Sequence, residues 1–213
     1  MKFLITAGPT REAIDPVRFI SNRSSGKMGY ALAQAALDAG HDVVLISGPV
    51  AITAPRGAHV VNVISADDMY DAVHANLAGV DIAVLCAAVA DFKPARYVER
   101  KIKKRDGIPS IELISTRDIL ASLGALSEKK FLLAGFAAET NDLEKNARIK
   151  LTKKQCDAII GNNVSAPGLG FESDENELTI FLPDQTSRVL PRAPKAELAK
   201  SLVKILCALQ QIS

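Results

Sequence analysis

Apolar residues come in short runs, each closed by small or turn-forming residues. Phe3-Leu4-Ile5 ends in Thr6-Ala7-Gly8-Pro9-Thr10, and Asp42–Ser47 ends in Gly48-Pro49. Ile82–Cys86 opens into Ala87-Ala88-Val89-Ala90, Phe131–Gly135 into Phe136-Ala137-Ala138-Glu139-Thr140, and Ala158–Ile160 into Gly161-Asn162-Asn163-Val164. Such runs read as strands covered on both faces, the pattern of a parallel sheet. His59–Val63 is a further short strand. Between them lie segments of helical pattern. Lys27–Ala39 is closed by Gly40, and Asp67–Leu77 has Ser65 as N-cap. A helix starts at Ser115-Thr116-Arg117-Asp118 with Ser115 as cap, and another follows Asn141 or Asp142 to about Lys154. Lys195–Gln211 is an amphipathic closing helix.

The alternation predicts α/β architecture: a Rossmann-like, doubly wound, mostly parallel sheet with right-handed crossovers. Glu177–Phe181 and Ser187–Leu190, around Pro183-Asp184-Gln185, add a C-terminal β-hairpin. Three stretches stand apart. Arg11–Ile20 is expected to be irregular, with Pro16 inside it, and Ser165–Asn176 is a glycine-rich loop. Residues 95–114, with Lys101-Ile102-Lys103-Lys104 and an Asp106-Gly107 turn, read as an inserted flap. No repeat or linker divides residues 1–213, so a single domain is expected.

Composition narrows the function classes. The balance of 48% hydrophobic and 23% charged residues argues against disorder. The net charge of +2 gives no general polyanion surface, so no nucleic-acid partner is expected and any basic site is local. No apolar run is long enough to span a membrane, and the N-terminus lacks a signal-peptide pattern. Cys86, Cys156 and Cys207 are far apart and set in apolar surroundings, which fits a reducing, cytoplasmic setting and no metal or nucleophile role.

The chemistry centres on Ile20–Gly29, between the first strand and the first helix. Ser24, Ser25 and Gly26 lie where the helix dipole and its first N–H groups favour an anion. Asn22 stands at the mouth of that turn with a donor and an acceptor. Asp91 follows the fourth strand, where ligands of open α/β sheets bind. Lys150 and Lys154 share a helical face and, with flap Lys101, are candidate triphosphate ligands. The runner-up, a nicotinamide-dependent reductase, meets an incomplete glycine fingerprint, with Ser24 at its first position, and no acidic residue after Ser47. A P-loop fails too, because Met28 follows Gly26-Lys27 where a hydroxyl residue would hold magnesium.

Six motifs in order carry a resemblance across the chain: Thr6–Glu12 with Asp15–Arg18, Ile20–Gly29, Ala87–Pro94, Lys101–Lys104, Gly135–Thr140 and Asn162–Gly170. They resemble phosphopantothenoylcysteine synthetase of the bacterial, CTP-dependent type, often fused behind a flavin-dependent decarboxylase. The resemblance implies a ligase that joins 4′-phosphopantothenate to L-cysteine through an acyl-cytidylate. CTP with Mg2+ is consumed to CMP and pyrophosphate in coenzyme A biosynthesis; related eukaryotic enzymes use ATP. No flavin is expected in this chain, and a homodimer is. The resemblance gives Asn22 and Lys101 catalytic roles, Asn22 at the anhydride carbonyl and Lys101 on the triphosphate. It assigns nucleotide contacts to Ala88, Asp91, Phe92, Lys101, Arg117, Asp118, Ile119, Leu120, Phe136, Lys150 and Lys154, with backbone around Ala88–Phe92 reading the base. Whether Ser24, Ser25 and Gly26 face the nucleotide or the pantothenate stays open, as do the metal ligands. The Asn162–Asn176 loop is a candidate for the subunit junction.

Overall fold

A computed structural model of the chain describes residues 1–104, 108–139, 141–163 and 173–211. The main sheet is built from β1 (Lys2–Ala7), β4 (Asp42–Ser47), β5 (His59–Asn62), β6 (Ile82–Leu85), β9 (Leu132–Glu139), β10 (Ala158–Asn163), β11 (Glu175–Phe181) and β12 (Ser187–Pro194). Its order is β12-β11-β10-β9-β6-β1-β4-β5. The first six in chain order are mutually parallel where they pair, and β11 and β12 add an antiparallel hairpin at one edge. From β1 the chain winds outward through β4 to β5, then returns to β6 on the other side of β1. That reversal opens a crevice beyond the carboxyl ends of β1 and β6.

Helices cover both faces. On one, α1 (Lys27–Asp38) and α5 (Lys195–Gln210) pack Leu32, Ala36, Leu198 and Leu202 onto Phe3, Ile5 and Val84. On the other, α2 (Ala66–Ala75), α3 (Ile119–Gly124) and α4 (Leu143–Lys153) bring Met69, Leu123 and Leu151 against Leu4, Ile46 and Leu133. The caps follow the expected chemistry. Ser65 and Asp68 form a capping box on α2. At the end of α1, Gly40 at φ 80° closes a Schellman motif: Gly40 N–H bonds Leu37 O and His41 N–H bonds Ala36 O. Gly29 lets α1 lie against β1, since a Cβ there would come within 2.6 Å of the Ala7 Cβ.

Four local expectations change. Arg11–Ile20 is not irregular: β2 (Arg11–Ala13) pairs with β3 (Phe19–Ser21) around a turn held by Asp15, which accepts from the N–H groups of Val17 and Arg18. Phe136–Glu139 and Gly161–Asn163 are not turns. They extend β9 and β10, because the parallel ladder runs on from Phe136↔Ile160 to Glu139↔Asn163. The helix start near Ser115 moves, with Ser115 ending β8 (Leu113–Ser115), which pairs with β7 (Phe92–Pro94). Asp118 is then the N-cap of α3, accepting from Ala121 N–H at 2.8 Å. The Asp106-Gly107 turn and most of the Ser165–Asn176 loop lie outside the described residues.

Candidate functional site

A cavity of about 630 Å³ occupies the crevice. Of the residues picked from the sequence, it is lined by Asn22, Ser24, Gly26, Ala88, Asp91, Phe92, Arg117, Asp118, Ile119, Leu120, Phe136, Lys150 and Lys154. Two do not line it. Lys101 is exposed on the flap, because the next residue is anchored elsewhere: Ile102 N–H donates to Asp15 and Ile102 O accepts from Arg18. Ser25 is turned to the start of α1, where its hydroxyl faces the Lys27 N–H at 3.5 Å. Thr6, Lys27, Asn162, Asn176 and Lys195 line the cavity without having been singled out as its ligands.

One wall is the loop that leaves β6, and hydrogen bonds fix nearly every peptide of it. Ala87 N–H donates to Thr6 Oγ1 at 3.1 Å, Ala88 N–H to Gly8 O at 2.9 Å and Ala90 N–H to Thr10 Oγ1 at 3.0 Å. Thr116 Oγ1 donates to Ala90 O at 2.7 Å, and its N–H to Asp91 O at 3.0 Å. Asn22 Nδ2 donates to Ala88 O at 2.9 Å and Val89 O at 3.1 Å. Two carbonyl partners fix the orientation of that amide, since only its nitrogen has hydrogens to give. The N–H groups of Ala88 and Ala90 are committed inside the protein, so base reading by them has no donor here. An oxyanion role for Asn22 likewise requires an exchange of partners.

The opposite wall is cationic and held by ion pairs. Lys150 Nζ donates to Phe136 O at 2.8 Å, and Lys154 pairs with the second oxygen of Asp118. Burial pushes the Asp118 carboxyl up, but Lys154, the Ala121 N–H and Lys150 outweigh it and hold the group below its usual range. Phe136 and Asn162 come from adjacent strands in register positions that share a sheet face. The side chain of Arg117 turns outward to α2, bonding Asp67 and Asp71 and stacking 4.0 Å over the Tyr70 ring. Its place in the cavity therefore owes nothing to a free guanidinium.

At the start of α1, Gly26 adopts φ 79°, and its N–H faces Ser24 Oγ at 3.3 Å. Nearby Lys195 is buried, and its Nζ donates to Ser173 O. Burial and then neighbouring Lys27 push this ammonium below the usual lysine range. Burial pushes the Cys86 thiol at the end of β6 up to about 12, which disfavours its thiolate. Among the described residues no group of three or more His, Cys, Asp or Glu side chains is placed to hold a metal. No helix among them is long and apolar enough to cross a membrane. At the end of β4, Ser47 is buried and bonded to Tyr30 and Gly48, with no carboxylate for a nicotinamide ribose.

The sequence profile of the DNA/pantothenate metabolism flavoprotein C-terminal domain matches residues 1–209. The chain belongs to that family. It is 51% identical over 203 residues to the coenzyme A biosynthesis bifunctional protein CoaBC of Vibrio vulnificus strain YJ016, covering 94% of this chain and 50% of that protein. Identity to the protein of the same name from Bacillus subtilis strain 168 is 49% over 209 residues, covering 98% of this chain and 51% of that protein. The crystal structure of the C-terminal domain of a CoaBC protein superposes with a TM-score of 0.85 at 40% identity, covering 100% of this chain and 96% of that one. The chain thus spans about half the length of the curated relatives it matches.

Proposed function

We propose that the chain is a phosphopantothenate–cysteine ligase of coenzyme A biosynthesis that activates its acid substrate with CTP. The observation that carries this reading is the convergence of Asp91, Phe92, Asp118, Phe136, Lys150 and Lys154 with the Ser24–Gly26 turn on one cavity at the sheet's switch point. The name of its relatives supports the pathway, and their greater length supports a decarboxylase half as partner. The three free thiols agree with a cytoplasmic setting. Exposed apolar side chains on the two accessory hairpins, Val17 and Phe19 on one and Phe92, Leu113 and Ile114 on the other, support a homodimer.

A carboxylate resists attack by an amine because it is anionic and lacks a leaving group. Its oxygen instead attacks the α-phosphorus of CTP, and the α–β bridge bond breaks with its electron pair leaving on pyrophosphate. The cysteine nitrogen then attacks the acyl carbon, the acyl–oxygen bond breaks, CMP departs and the nitrogen loses a proton. Lys150 and Lys154 neutralise the nucleotide, and the long Gly26 N–H contact exchanges its serine for phosphate oxygen. Phe136 supplies an apolar face, and the braced loop after β6 positions the acyl group and sheds water. Asn22 stands at the acyl end, and Lys101 acts only if the flap folds over the cavity. Magnesium carried on the nucleotide's phosphates would supply charge neutralisation there.

Pyrophosphate release with 4′-phosphopantothenate and L-cysteine tests the reading. Release is expected to favour CTP over ATP by about tenfold or more in kcat/KM, as polar base recognition allows. Equal rates with ATP remove the nucleotide assignment. No release with either nucleotide removes the ligase.

A further inference from the structure

The start of α2 fastens one rim of the cavity from outside. Glu12 of β2 is buried, and its Oε1 accepts the N–H of Ala66, the first residue of α2, at 2.8 Å. Arg11 N–H donates to Ile64 O at 2.8 Å, and the Ser65–Asp68 capping box closes the same turn. Asp67 sits in that first turn, at the positive end of the helix dipole, where a carboxylate is favoured. It gathers two cations from two other segments. Lys93 of β7 pairs with its Oδ2, and Arg117 Nε donates to its Oδ1 at 3.1 Å. Arg117 Nη2 reaches Asp67 O at 3.1 Å, Nη1 meets Asp71 at 2.8 Å, and the guanidinium lies 4.0 Å from the centre of the Tyr70 ring. The Lys93 bond outweighs desolvation and, with Arg117, holds the Asp67 carboxyl below its usual range, so it stays charged at neutral pH.

The segments so fastened carry residues that face the cavity. Lys93 follows Asp91 and Phe92; Arg117 stands between Thr116, which bonds the carbonyls of Ala90 and Asp91, and Asp118, which holds Lys154. β7 and β8 form a sheet of two strands, so their pairing orders the hairpin internally without placing it over the main sheet. We infer that Asp67 is a positioning residue for the nucleotide: by binding Lys93 and Arg117 at once, it seats the β7–β8 hairpin on the helical layer and so places Phe92 and Asp118 at the cavity. Asp67 itself is not among the residues that line the cavity, and it acts only through its two partners. The inference rests on the ligase reading and gives Arg117 a role other than touching the nucleotide. A single half-exposed ion pair contributes little, whereas charges from three segments that share one carboxylate act as a network.

Steady-state kinetics of the full chain test this, with CTP and 4′-phosphopantothenate varied in turn. Asp67→Asn is expected to raise the KM for CTP about three- to tenfold, the range two partly exposed charged hydrogen bonds allow. Its kcat is expected to stay within about twofold, and the KM for 4′-phosphopantothenate to stay unchanged. Lys93→Met, a milder surface change, is expected to raise the KM for CTP about two- to threefold alone and to add nothing in the Asp67→Asn background. Lys129→Met breaks an ion pair of similar exposure, with Asp157, away from the cavity, and is expected to leave the KM for CTP unchanged. An unchanged KM for CTP in Asp67→Asn overturns the inference and leaves the ligase standing. So does an equal rise in Lys129→Met or in the KM for 4′-phosphopantothenate, since general loosening accounts for either. An additive effect of Lys93→Met in the Asp67→Asn background removes the shared carboxylate and overturns it too. Should Asp67→Asn fail to fold, Lys93→Met decides by the same rise or its absence. A wild type that turns over no CTP overturns both readings.

Discussion

The two walls of the cavity are built on opposite plans. The loop from Ala87 to Ala90 is uncharged and braced: Thr6, Thr10, Asn22 and Thr116 occupy its peptide groups from several segments. The charged lining, drawn from helices on both faces of the sheet, is exchangeable. Lys154 is held by a half-exposed Asp118 and Lys27 by a largely exposed Asp174. A group that must hold one geometry through a reaction gains from fixed bonds, while a group that must accept and release an anion gains from weak, replaceable ones. On the proposed ligase reading, the cavity would separate orientation of the acyl end from neutralisation of the phosphates.

The largest test of this contrast is Asn22→Asp. It sets a carboxylate against the carbonyls of Ala88 and Val89, removes the donor that braces them, and cannot offer one to an oxyanion. Turnover is expected to fall by ~10²–10³, the usual cost of one such donor, with little change in the KM for CTP and with acyl-cytidylate accumulating. Rapid-quench analysis measures both, and wild-type rates would take Asn22 out of the site. On the other wall, Lys154→Met is expected to raise the KM for CTP by roughly tenfold, as loss of one charged hydrogen bond does, while kcat changes less. A fall confined to kcat would erase the distinction between the walls.

The smallest effect belongs to the bracing itself. Thr10→Val keeps the shape of a fully buried side chain but leaves the Ala90 N–H without its acceptor. Thermal unfolding is expected to show a loss of about 1–3 kcal/mol, with KM for CTP near the wild-type value. A variant as stable as the wild type would mean that the loop draws its order from elsewhere.

The contrast also explains what could be read from the sequence. The parallel strands announced themselves because burial on both faces demands unbroken apolar runs, and Ser65 and Gly40 marked helix ends by chemistry that few residues supply. The carboxyl ends of β9 and β10 were hidden because Phe136–Glu139 and Gly161–Asn163 look like turn material; only their pairing with each other makes them strand. The β2–β3 hairpin had a signal in Asp15-Pro16, where a carboxylate can cap the turn, but its two strands have only three residues each. Among site residues, Asp91, Lys150 and Lys154 stood out through charge at strand ends and on one helical face. Thr6 and Thr10 did not, since a buried hydroxyl that braces a loop far along the chain leaves no local pattern. Lys195 did leave one: a lysine as the first residue of a helix opposes the dipole, and such a misplaced charge is worth asking about. Lys101 was placed by its motif, and the anchoring of Ile102 to Asp15 and Arg18 holds its neighbourhood outside the cavity.

Following the carboxylate oxygen through the reaction is the most direct trial of acid activation at this site. With 4′-phosphopantothenate labelled with oxygen-18 in its carboxylate, mass spectrometry of a complete reaction should find one labelled oxygen in CMP and none in pyrophosphate. Label in inorganic phosphate alongside CDP, or unlabelled CMP, would contradict the proposed acyl-cytidylate.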